Sequence, residues 1–437
     1  MTVHGVLGEG GMGAAFLASH KVLRAPLVIK TFKTTAPAQL FREAHLAARV
    51  VSPHVVAVID AGVEDGTAFV VQRYVDGIDL DELLHAARAM DRRLPLDLVI
   101  RLLLDVSRGL AAIHQAGVVH RDVKPANLFL GGNGVASVGD FGVAVETTKS
   151  NDDEPVIGTP LLMAPEQWAR GAVDRRTDIY ALGGTAHLLA TNDAPFVGDG
   201  PLQLHVAHAT EAYLPPSPRD PREAYFFAVV ERMLRKRADD RYPSAGEVAR
   251  DLAVVTEPAP SLVPHGDDEA SVGNVTISIG VGNIAEQSAD VIVSAANTGM
   301  RMDLGVAAAL RRAGGDEIAT EAKTLAPVSM GQVAWTGAGR LKAKYVAHAV
   351  AALDGAICLQ RCALRVLLAA EARGATSIAF PALGTGVGEV PMALGAKLML
   401  ESFRTFASLR PRHLREVRVV LYNGEALECW RDVLRSM

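Results

Sequence analysis

The order of hydrophobic and polar positions divides the chain into two blocks with different patterns. Near the start, a strand–glycine turn–strand pattern is followed by short apolar runs at 27–30, 55–59 and 68–71, with one helical pattern over 35–50. From Leu80 onward, apolar positions recur mostly at helical spacing. The pattern predicts a sheet-rich lobe over 1–75 and a larger helical lobe over 76–255.

The second block alternates between strand-like and helical runs. Strands are predicted at 275–279, 291–294, 346–350, 377–380 and 417–422, and helices at 306–313, 359–373 and 392–406. Such alternation predicts an α/β layered domain over 273–437. Residues 256–272 hold three prolines and an acidic cluster without periodicity, which is typical of a linker.

Composition narrows the class of protein. The chain has 437 residues, 49% of them hydrophobic, and a formal net charge of −5, so we expect ordinary globular domains that do not coat nucleic acid. Its three cysteines form no disulfide framework, and we expect Cys358 and Cys362 to be small core residues. With no leader pattern and no apolar run long enough to span a bilayer, we expect a cytoplasmic protein.

Two short motifs carry the chemistry. From position 120 the chain reads His-Arg-Asp-Val-Lys-Pro-Ala-Asn, and from position 140 it reads Asp-Phe-Gly. Asp122 is a candidate base for a hydroxyl, Lys124 can neutralise a moving phosphoryl group, and Asn127 and Asp140 offer oxygens to Mg²⁺. The alternative, turn-capping aspartates, is disfavoured because six polar positions match in order. His120 is expected to pack beneath the loop.

Upstream residues fit the same chemistry. A turn containing Gly8, Gly10 and Gly13 lets backbone amides close over phosphates. Lys30 ends the third strand, within reach of phosphates, and Glu43 on the next helix can hold it. In isolation each feature has an ordinary alternative. The glycine turn can be a plain hairpin, Lys30 a solvated surface lysine, and Glu43 part of a solvated helix face.

Together these residues resemble the bacterial eukaryotic-like serine/threonine protein kinases, over about 3–255. Glu166 of Ala-Pro-Glu, Asp178 and Arg241 match the structural positions of that family, and Lys124 with the Gly-Thr pair at 158–159 matches its serine/threonine-specific pattern. The resemblance implies a two-lobed α+β protein-kinase fold, ATP and Mg²⁺, and protein substrates with Ser or Thr hydroxyls. The ATP-binding residues that it implies are Leu7, Gly8, Gly10, Gly13, Ala15, Val28, Lys30, Arg73, Val75 and Phe129.

The first block also departs from the family. Ala15 and Val28 stand where the family favours valine and alanine, which is a volume-conserving exchange over the adenine. The alternative is that Val28 narrows the pocket. Arg73 occupies a hinge position where an acid is common, and the spacing from Lys30 to Glu43 is short.

The segment between Asp140 and Glu166 carries candidate phosphorylation sites at Thr147, Thr148 and Ser150. A phosphate there would pair with Arg121 and order the segment, by analogy with the family. The acidic run at 152–154 offers a rival, built-in negative charge, and a plain solvated loop remains a third interpretation.

The second block carries a different set of residues. Asn297 follows an apolar strand, Gly305 opens the next helix, and a glycine-rich loop over 384–388 precedes another helix, where amides suit a diphosphate. These features resemble the macro domain, a three-layer α/β module that binds ADP-ribose, from about 275 onward. The ADP-ribose-binding residues that it implies are Asn283, Ile284, Asn297, Gly305, Val306, Ala307, Gly384, Thr385, Gly386, Val387, Gly388 and Tyr422.

The macro resemblance is imperfect. Asn283 replaces an aspartate that accepts from adenine, and Asp303 and Leu304 replace two glycines, which predicts weakened binding. Ala307 replaces the aspartate with which one hydrolytic branch activates water, which disfavours hydrolysis by that route. Tyr422 is expected either to stack on adenine or to lie at the edge of the core.

The sequence therefore predicts an ATP-dependent protein serine/threonine kinase fused to an ADP-ribose-binding module. Two alternatives stay open: a pseudokinase scaffold with an ADP-ribose reader, and an ADP-ribose hydrolase or deacetylase. ADP-ribose or an ADP-ribosylated protein is the expected partner of the second block, and we hypothesise that it tunes the kinase.

Overall fold

The computed structural model describes residues 1–10, 13–33, 37–140, 160–353, 356–386 and 388–437. The N-terminal lobe is an antiparallel five-stranded sheet with strand order β1-β2-β3-β5-β4 and one helix. Its elements are β1 (Thr2–Gly10), β2 (Gly13–Ser19), β3 (Pro26–Phe32), α1 (Pro37–Ala47), β4 (Val58–Glu64) and β5 (Thr67–Arg73).

The strand predicted at 55–59 is the main error in this lobe. Strand β4 begins only at Val58, and the apolar residues before it serve another purpose. Val56 donates its backbone N–H to Val138 O at 2.8 Å, and Val55 forms a parallel bridge with Val138. These valines are apolar because they join the two lobes, and the local pattern could not separate that role from a strand.

The helical lobe has a small sheet of order β6-β7-β8. Its elements are β6 (Gly77–Asp79), α2 (Leu80–Ala89), α3 (Leu96–Gln115), β7 (Leu128–Gly131), β8 (Ala136–Val138), α4 (Pro165–Trp168), α5 (Arg175–Thr191), α6 (Pro201–Thr210), α7 (Pro221–Met233) and α8 (Ala245–Val254). Aspartates begin three helices, because Asp79, Asp174 and Asp220 accept backbone N–H groups of the first turns of α2, α5 and α7. Helix α5 is buried along nearly its whole length and forms the centre of the lobe.

The second block is built on an eight-stranded sheet with order β13-β14-β12-β17-β18-β11-β10-β9. Its elements are β9 (Leu262–Pro264), β10 (Glu269–Val272), β11 (Val275–Val281), β12 (Val291–Ala295), α9 (Gly305–Gly314), α10 (Asp316–Thr324), β13 (Val333–Gly337), β14 (Tyr345–Ala349), β15 (Ala352–Leu353), β16 (Ala356–Ile357), α11 (Leu359–Ala372), β17 (Ser377–Pro381), α12 (Met392–Ala407), β18 (Glu416–Leu421) and α13 (Gly424–Ser436). Strands β14, β12, β17, β18 and β11 run parallel, with antiparallel strands at both edges. The predicted fold class, a two-lobed α+β unit followed by an α/β layered domain, is confirmed.

The segment predicted as a linker is partly wrong. Within 256–272, strands β9 and β10 pair with each other, and β10 pairs with β11, so they extend the second sheet. Ala270 and Val272 are fully buried there, but a four-residue strand is too short to show a period of two. The connection between α8 and β9 is therefore residues 255–261, and a short turn at 265–268 separates β9 from β10.

Within the described ranges, no helix combines the length and the apolar character that crossing a lipid bilayer requires. Cys358 and Cys362 are fully buried, as predicted, and burial raises the pKa of both thiols.

Candidate active site

The loop after α3 brings three predicted site residues together. A 3-10 turn over Pro125–Asn127 folds the chain back, so that Asn127 Nδ2 donates to Asp122 Oδ2 at 2.9 Å and to Asp122 O at 2.8 Å. Lys124 Nζ lies 2.8 Å from Asp122 Oδ2. Because the amide nitrogen of Asn127 is used on Asp122, its Oδ1 is the atom that can serve a cation.

The second predicted metal ligand lies next to this loop. Gly139 N–H donates to Asn127 O at 2.9 Å, which places Asp140 directly beyond Asn127. Asp140 has a left-handed backbone, with φ of 57°, and its Oδ1 forms an ion pair with Lys30 Nζ from strand β3. The structure thus joins Lys30 to Asp140, whereas the sequence predicts Glu43 as its partner. The Glu43 side chain lies outside the described residues, so that pair stays a prediction.

A buried carboxylate holds the loop from below. Asp178 on α5 is fully buried and accepts from His120 N at 2.8 Å, from Arg121 N at 2.7 Å and from His114 Nε2 at 2.7 Å. The His120 imidazole donates to Gly139 O at 2.8 Å and is 1% exposed. As predicted, His120 has a packing role, and Asp178 fixes the backbone that presents Asp122.

An ion pair between Arg241, which is fully buried, and Glu166 joins α4 to the segment that precedes α8. Arg241 donates to both Glu166 oxygens, at 2.6 and 2.8 Å, and Thr177 Oγ1 donates to the same carboxylate at 2.8 Å. Burial acts to raise the pKa of Glu166, but the bonds from Arg241 outweigh it and hold the pKa below its usual value. The predicted pairing of Glu166 with Arg241 is confirmed.

The roof of the cleft follows from strand register. Ala15 pairs with Lys30 and Leu17 with Val28, so Ala15, Val28 and Lys30 share one face of the sheet. Gly13 has to be glycine, because a Cβ there would lie 1.8 Å from Thr31 O. A Cβ on Gly8 would meet no atom within 4 Å, so packing within the protein does not require a glycine at that position.

The remaining residues of the predicted ATP set are placed as follows. Leu7 and Val28 are partly buried and pack against an apolar cluster that includes Leu17 and Tyr74. Arg73 N–H donates to Ala57 O at 2.9 Å, so this donor is used within the protein. Phe129 lies on β7, where a Cβ on Gly139 would touch its ring. Val75 follows in the hinge, and Gly10 ends β1.

In the second block, the predicted ligand residues gather at one edge of the sheet. Asn283, Asn297, Gly384 and Tyr422 each follow one of the strands β11, β12, β17 and β18, which are parallel neighbours. The carboxyl ends of parallel strands meet at the same edge, where ligands of open α/β sheets bind. Tyr422 lies just beyond β18 and is 73% exposed, which excludes a place at the edge of the core.

The glycines at this edge differ in whether the backbone or the surrounding atoms exclude a side chain there. Gly305 opens α9 with φ of 54°, followed by half-buried Val306 and buried Ala307. Gly384 has φ of 77°, and a Cβ there would lie 2.9 Å from Val390 Cγ2. A Cβ on Gly386 would meet nothing within 4 Å.

Side chains at this edge are partly engaged with their own loops. Asn283 Oδ1 accepts from Ala285 N at 3.1 Å, beside the buried Ile284. Asn297 Oδ1 accepts from Arg301 N at 3.2 Å, and Thr385 Oγ1 donates to Ala382 O at 2.9 Å. Of the 384–388 loop, Gly388 is half-buried and Val387 lies outside the described residues.

The comparisons with known proteins agree with this geometry. The family model described as protein kinase domain matches residues 1–251, which is more than half of the chain. The chain belongs to the protein kinase family. A second model, described as macro domain, matches residues 293–399, so a kinase domain is followed by a macro domain.

The relatives are bacterial kinases. The serine/threonine-protein kinase PknB of Mycobacterium leprae is 32% identical over 301 residues, covering 66% of this chain and 48% of that protein. The probable serine/threonine-protein kinase SCO3848 of Streptomyces coelicolor is 36% identical over 271 residues, covering 58% of this chain and 40% of that protein. The chain thus spans about half the length of the curated relatives that it matches.

Sequence reasoning missed the residues through which the macro domain contacts the kinase hinge, chiefly Asp76, Glu82, Arg361 and Arg365. No local signal marks them, because the two partners of each contact are more than 280 residues apart in the chain. The phosphorylation candidates Thr147, Thr148 and Ser150 lie outside the described residues, as do 152–154 and 158–159.

Proposed function

We propose that the chain is an ATP-dependent protein serine/threonine kinase that transfers the γ-phosphoryl group to Ser or Thr hydroxyls. The observation that carries the proposal is the cluster of Asp122, Lys124 and Asn127 within hydrogen-bond distance, with the Lys30–Asp140 pair beside it. A pseudokinase scaffold has no need of that full set.

Each residue has a physical role in this proposal. Asp122 accepts the proton of the substrate hydroxyl and orients its oxygen, and Lys124 neutralises charge on the phosphoryl group. Lys30 holds the α- and β-phosphates. Asn127 and Asp140 would hold Mg²⁺, because this ion prefers to be bound by a few protein oxygens together with phosphates. The ion would neutralise phosphate charge.

A phosphotransfer assay tests the proposal. The full chain is incubated with Mg-ATP and a general protein acceptor, and Asp122→Asn is compared with wild type. We expect a loss of at least about 100-fold in kcat, as for removal of a general base. Asp432→Asn, an exposed aspartate of α13 in the macro domain, is the matched control. Phosphotransfer by Asp122→Asn at the wild-type rate would refute the assignment, and wild type without phosphotransfer would favour the scaffold.

We further propose that the macro domain binds ADP-ribose, free or on a modified protein, at the edge that carries Asn297, Gly384 and Tyr422. The parallel topology, the open space at Gly386 and the exposed ring of Tyr422 support this. We assign binding rather than cleavage, because Ala307 carries no group that activates water.

Calorimetry with ADP-ribose tests the macro proposal, with the kinase cleft saturated by a non-hydrolysable ATP analogue. Gly386→Val adds a side chain whose Cβ has no protein atom within 4 Å, so it should abolish binding and leave the fold intact. Tyr422→Ala should weaken binding by about tenfold, as for one lost stacking contact. Wild-type affinity in both variants would show that ligand binds elsewhere. With free, buried cysteines at 358 and 362, we also propose a cytoplasmic location.

A further inference from the structure

The N-terminus of α11 in the macro domain is capped by a side chain of the kinase hinge. Asp76, between β5 and β6, accepts from Gln360 N and from Arg361 N through its two carboxylate oxygens, each at 2.9 Å. Helix α11 has no side-chain cap of its own, since Cys358 precedes it. A carboxylate at a helix N-terminus satisfies orphan amides and complements the helix dipole.

Two arginines of the same helix bind the segment that follows the hinge. Arg361 Nη1 donates to Gly77 O at 3.1 Å. Arg365 donates to both carboxylate oxygens of Glu82 on α2, at 2.5 and 2.8 Å, in the bidentate geometry that makes such pairs strong. Arg365 also donates to Gly331 O at 2.7 Å, so its position is fixed within the macro domain.

A second chain of contacts supports the same segment from α12. Asp76 O accepts from Gly132 N at 3.0 Å, and Gly132 O accepts from Thr405 Oγ1 at 2.7 Å. A Cβ on Gly132 would lie 2.4 Å from Gln360 Cβ, so the two domains touch closely here. The contact leaves little solvent near Asp76, and burial raises the pKa of its carboxyl to about 6 despite the two backbone donors.

The hinge itself is packed between the adenine pocket and the macro domain. Tyr74 is 7% exposed and belongs to one apolar cluster with Cys358 of the macro domain and Leu17 of the N-terminal lobe. Leu7 and Val28, two residues of the proposed adenine pocket, pack against the same cluster. Apolar packing is therefore continuous from the proposed adenine pocket through Tyr74 of the hinge to the second domain.

We propose that the macro domain positions the adenine-binding hinge, with Arg361, Arg365 and the N-terminus of α11 as positioning residues for ATP. The inference rests on the proposed kinase function. Adenine contacts are the same in the ground state and the transition state of phosphoryl transfer. Loosening the hinge therefore raises the dissociation constant and KM for ATP while kcat stays unchanged.

Arg361→Ala in the full chain is the first test. We expect the dissociation constant of Mg-ATP, measured by calorimetry, and KM to rise at least about tenfold, as for one lost bond to a charged donor, with kcat within about twofold. Arg361→Lys, which keeps a donor for Gly77 O, should recover part of the affinity. The matched control is Arg373→Ala at the other end of α11, where the guanidinium stacks on Trp335 within the macro domain.

A charge exchange keeps the proposal falsifiable if Arg361→Ala does not fold. Arg365→Glu should weaken ATP binding, and adding Glu82→Arg should restore it, because the ion pair is re-formed in reverse. ATP affinity that is unchanged in folded Arg361→Ala and in Arg365→Glu, or equally reduced in Arg373→Ala, overturns the inference. Calorimetry measures ATP binding without turnover, so the two proposals can fail separately. If the variants bind ATP more weakly but the wild type shows no phosphotransfer, only the proposed activity is contradicted. If the wild type shows phosphotransfer but the variants keep its ATP affinity, only the positioning role is contradicted.

Discussion

Replacing Asp178 should slow catalysis strongly and leave nucleotide binding nearly unchanged. The Asp178 carboxylate receives three hydrogen bonds, from the backbone of His120 and Arg121 and from the His114 ring, and none of its surface is exposed. Asp178→Ala leaves these three donors without their acceptor in a buried place. Each bond to a charged acceptor contributes about 1.5–3 kcal/mol. Because the three share one acceptor, their effects are not additive, and we expect a total loss of about 3–5 kcal/mol.

That loss is a large fraction of the stability of a domain, about 5–15 kcal/mol, yet it acts on one loop. The backbone at His120 and Arg121 is expected to shift, carrying Asp122 with it, and a displacement of about 1 Å costs about 100-fold in rate. The donors to Asp178 come from α3 and from the loop after it, whereas Lys30 lies on β3 of the other lobe. We therefore expect kcat to fall about 100-fold for Asp178→Ala while the dissociation constant for Mg-ATP stays within about twofold.

The assay combines steady-state phosphotransfer with calorimetry of Mg-ATP on the same full-chain preparation. Asp178→Asn, which keeps one acceptor oxygen, should lose less activity than Asp178→Ala. Asp174→Asn on the same helix is the control, because asparagine caps a helix about as well as aspartate. Retention of wild-type kcat by Asp178→Ala would refute the reasoning, since the loop would then hold Asp122 without its acceptor.

Three further predictions follow from buried ionisable groups and from the contact between the two domains. Arg241→Ala should lower the free energy of unfolding, measured in urea, by about 3–5 kcal/mol, because Glu166 keeps a buried charge without its partner. The double variant Arg241→Met with Glu166→Leu should recover part of the lost stability. Equal stability of the single and the double variant would contradict this explanation. Burial lowers the pKa of His187 and of His208 to about 4, below the 6.5 of the unfolded chain, so their contribution is present above pH 6.5 and is lost as the pH falls toward 4. Urea unfolding should show a loss of about 2 kcal/mol for each histidine between pH 7 and pH 5, and a flat profile would refute it. Saturating ADP-ribose should change the affinity for ATP, and saturating ATP should change the affinity for ADP-ribose by the same factor. A factor of one in both calorimetric titrations would exclude coupling between the sites.

Features with a strong local period could be predicted from the sequence, and features that depend on distant contacts could not. Helices predicted at 359–373 and 392–406 are observed as Leu359–Ala372 and Met392–Ala407, because their apolar faces repeat over several turns. Strands β9 and β10 were missed because three or four residues carry too little pattern.

The same distinction between local and distant contacts applies to the candidate site. Asp122, Lys124 and Asn127 lie within one loop, so their spacing in the sequence already fixes their proximity. The pair between Lys30 and Asp140 joins residues 110 positions apart, and the partner expected from the sequence was Glu43. Similarly, nothing near Asp76 in the sequence indicates that a helix 284 residues away begins on its carboxylate.

The docking of α11 on the hinge also decides how this chain can be cut for experiments. A fragment that ends near residue 255 would expose Tyr74 and the face of α2 to water, and Asp76 would lose both of its amide donors. A newly exposed apolar surface beside a carboxylate that has lost its hydrogen-bond donors favours self-association. A fragment limited to the kinase domain would therefore be a poor substitute for the two-domain chain, because the residues that contact the hinge from α11 would be absent.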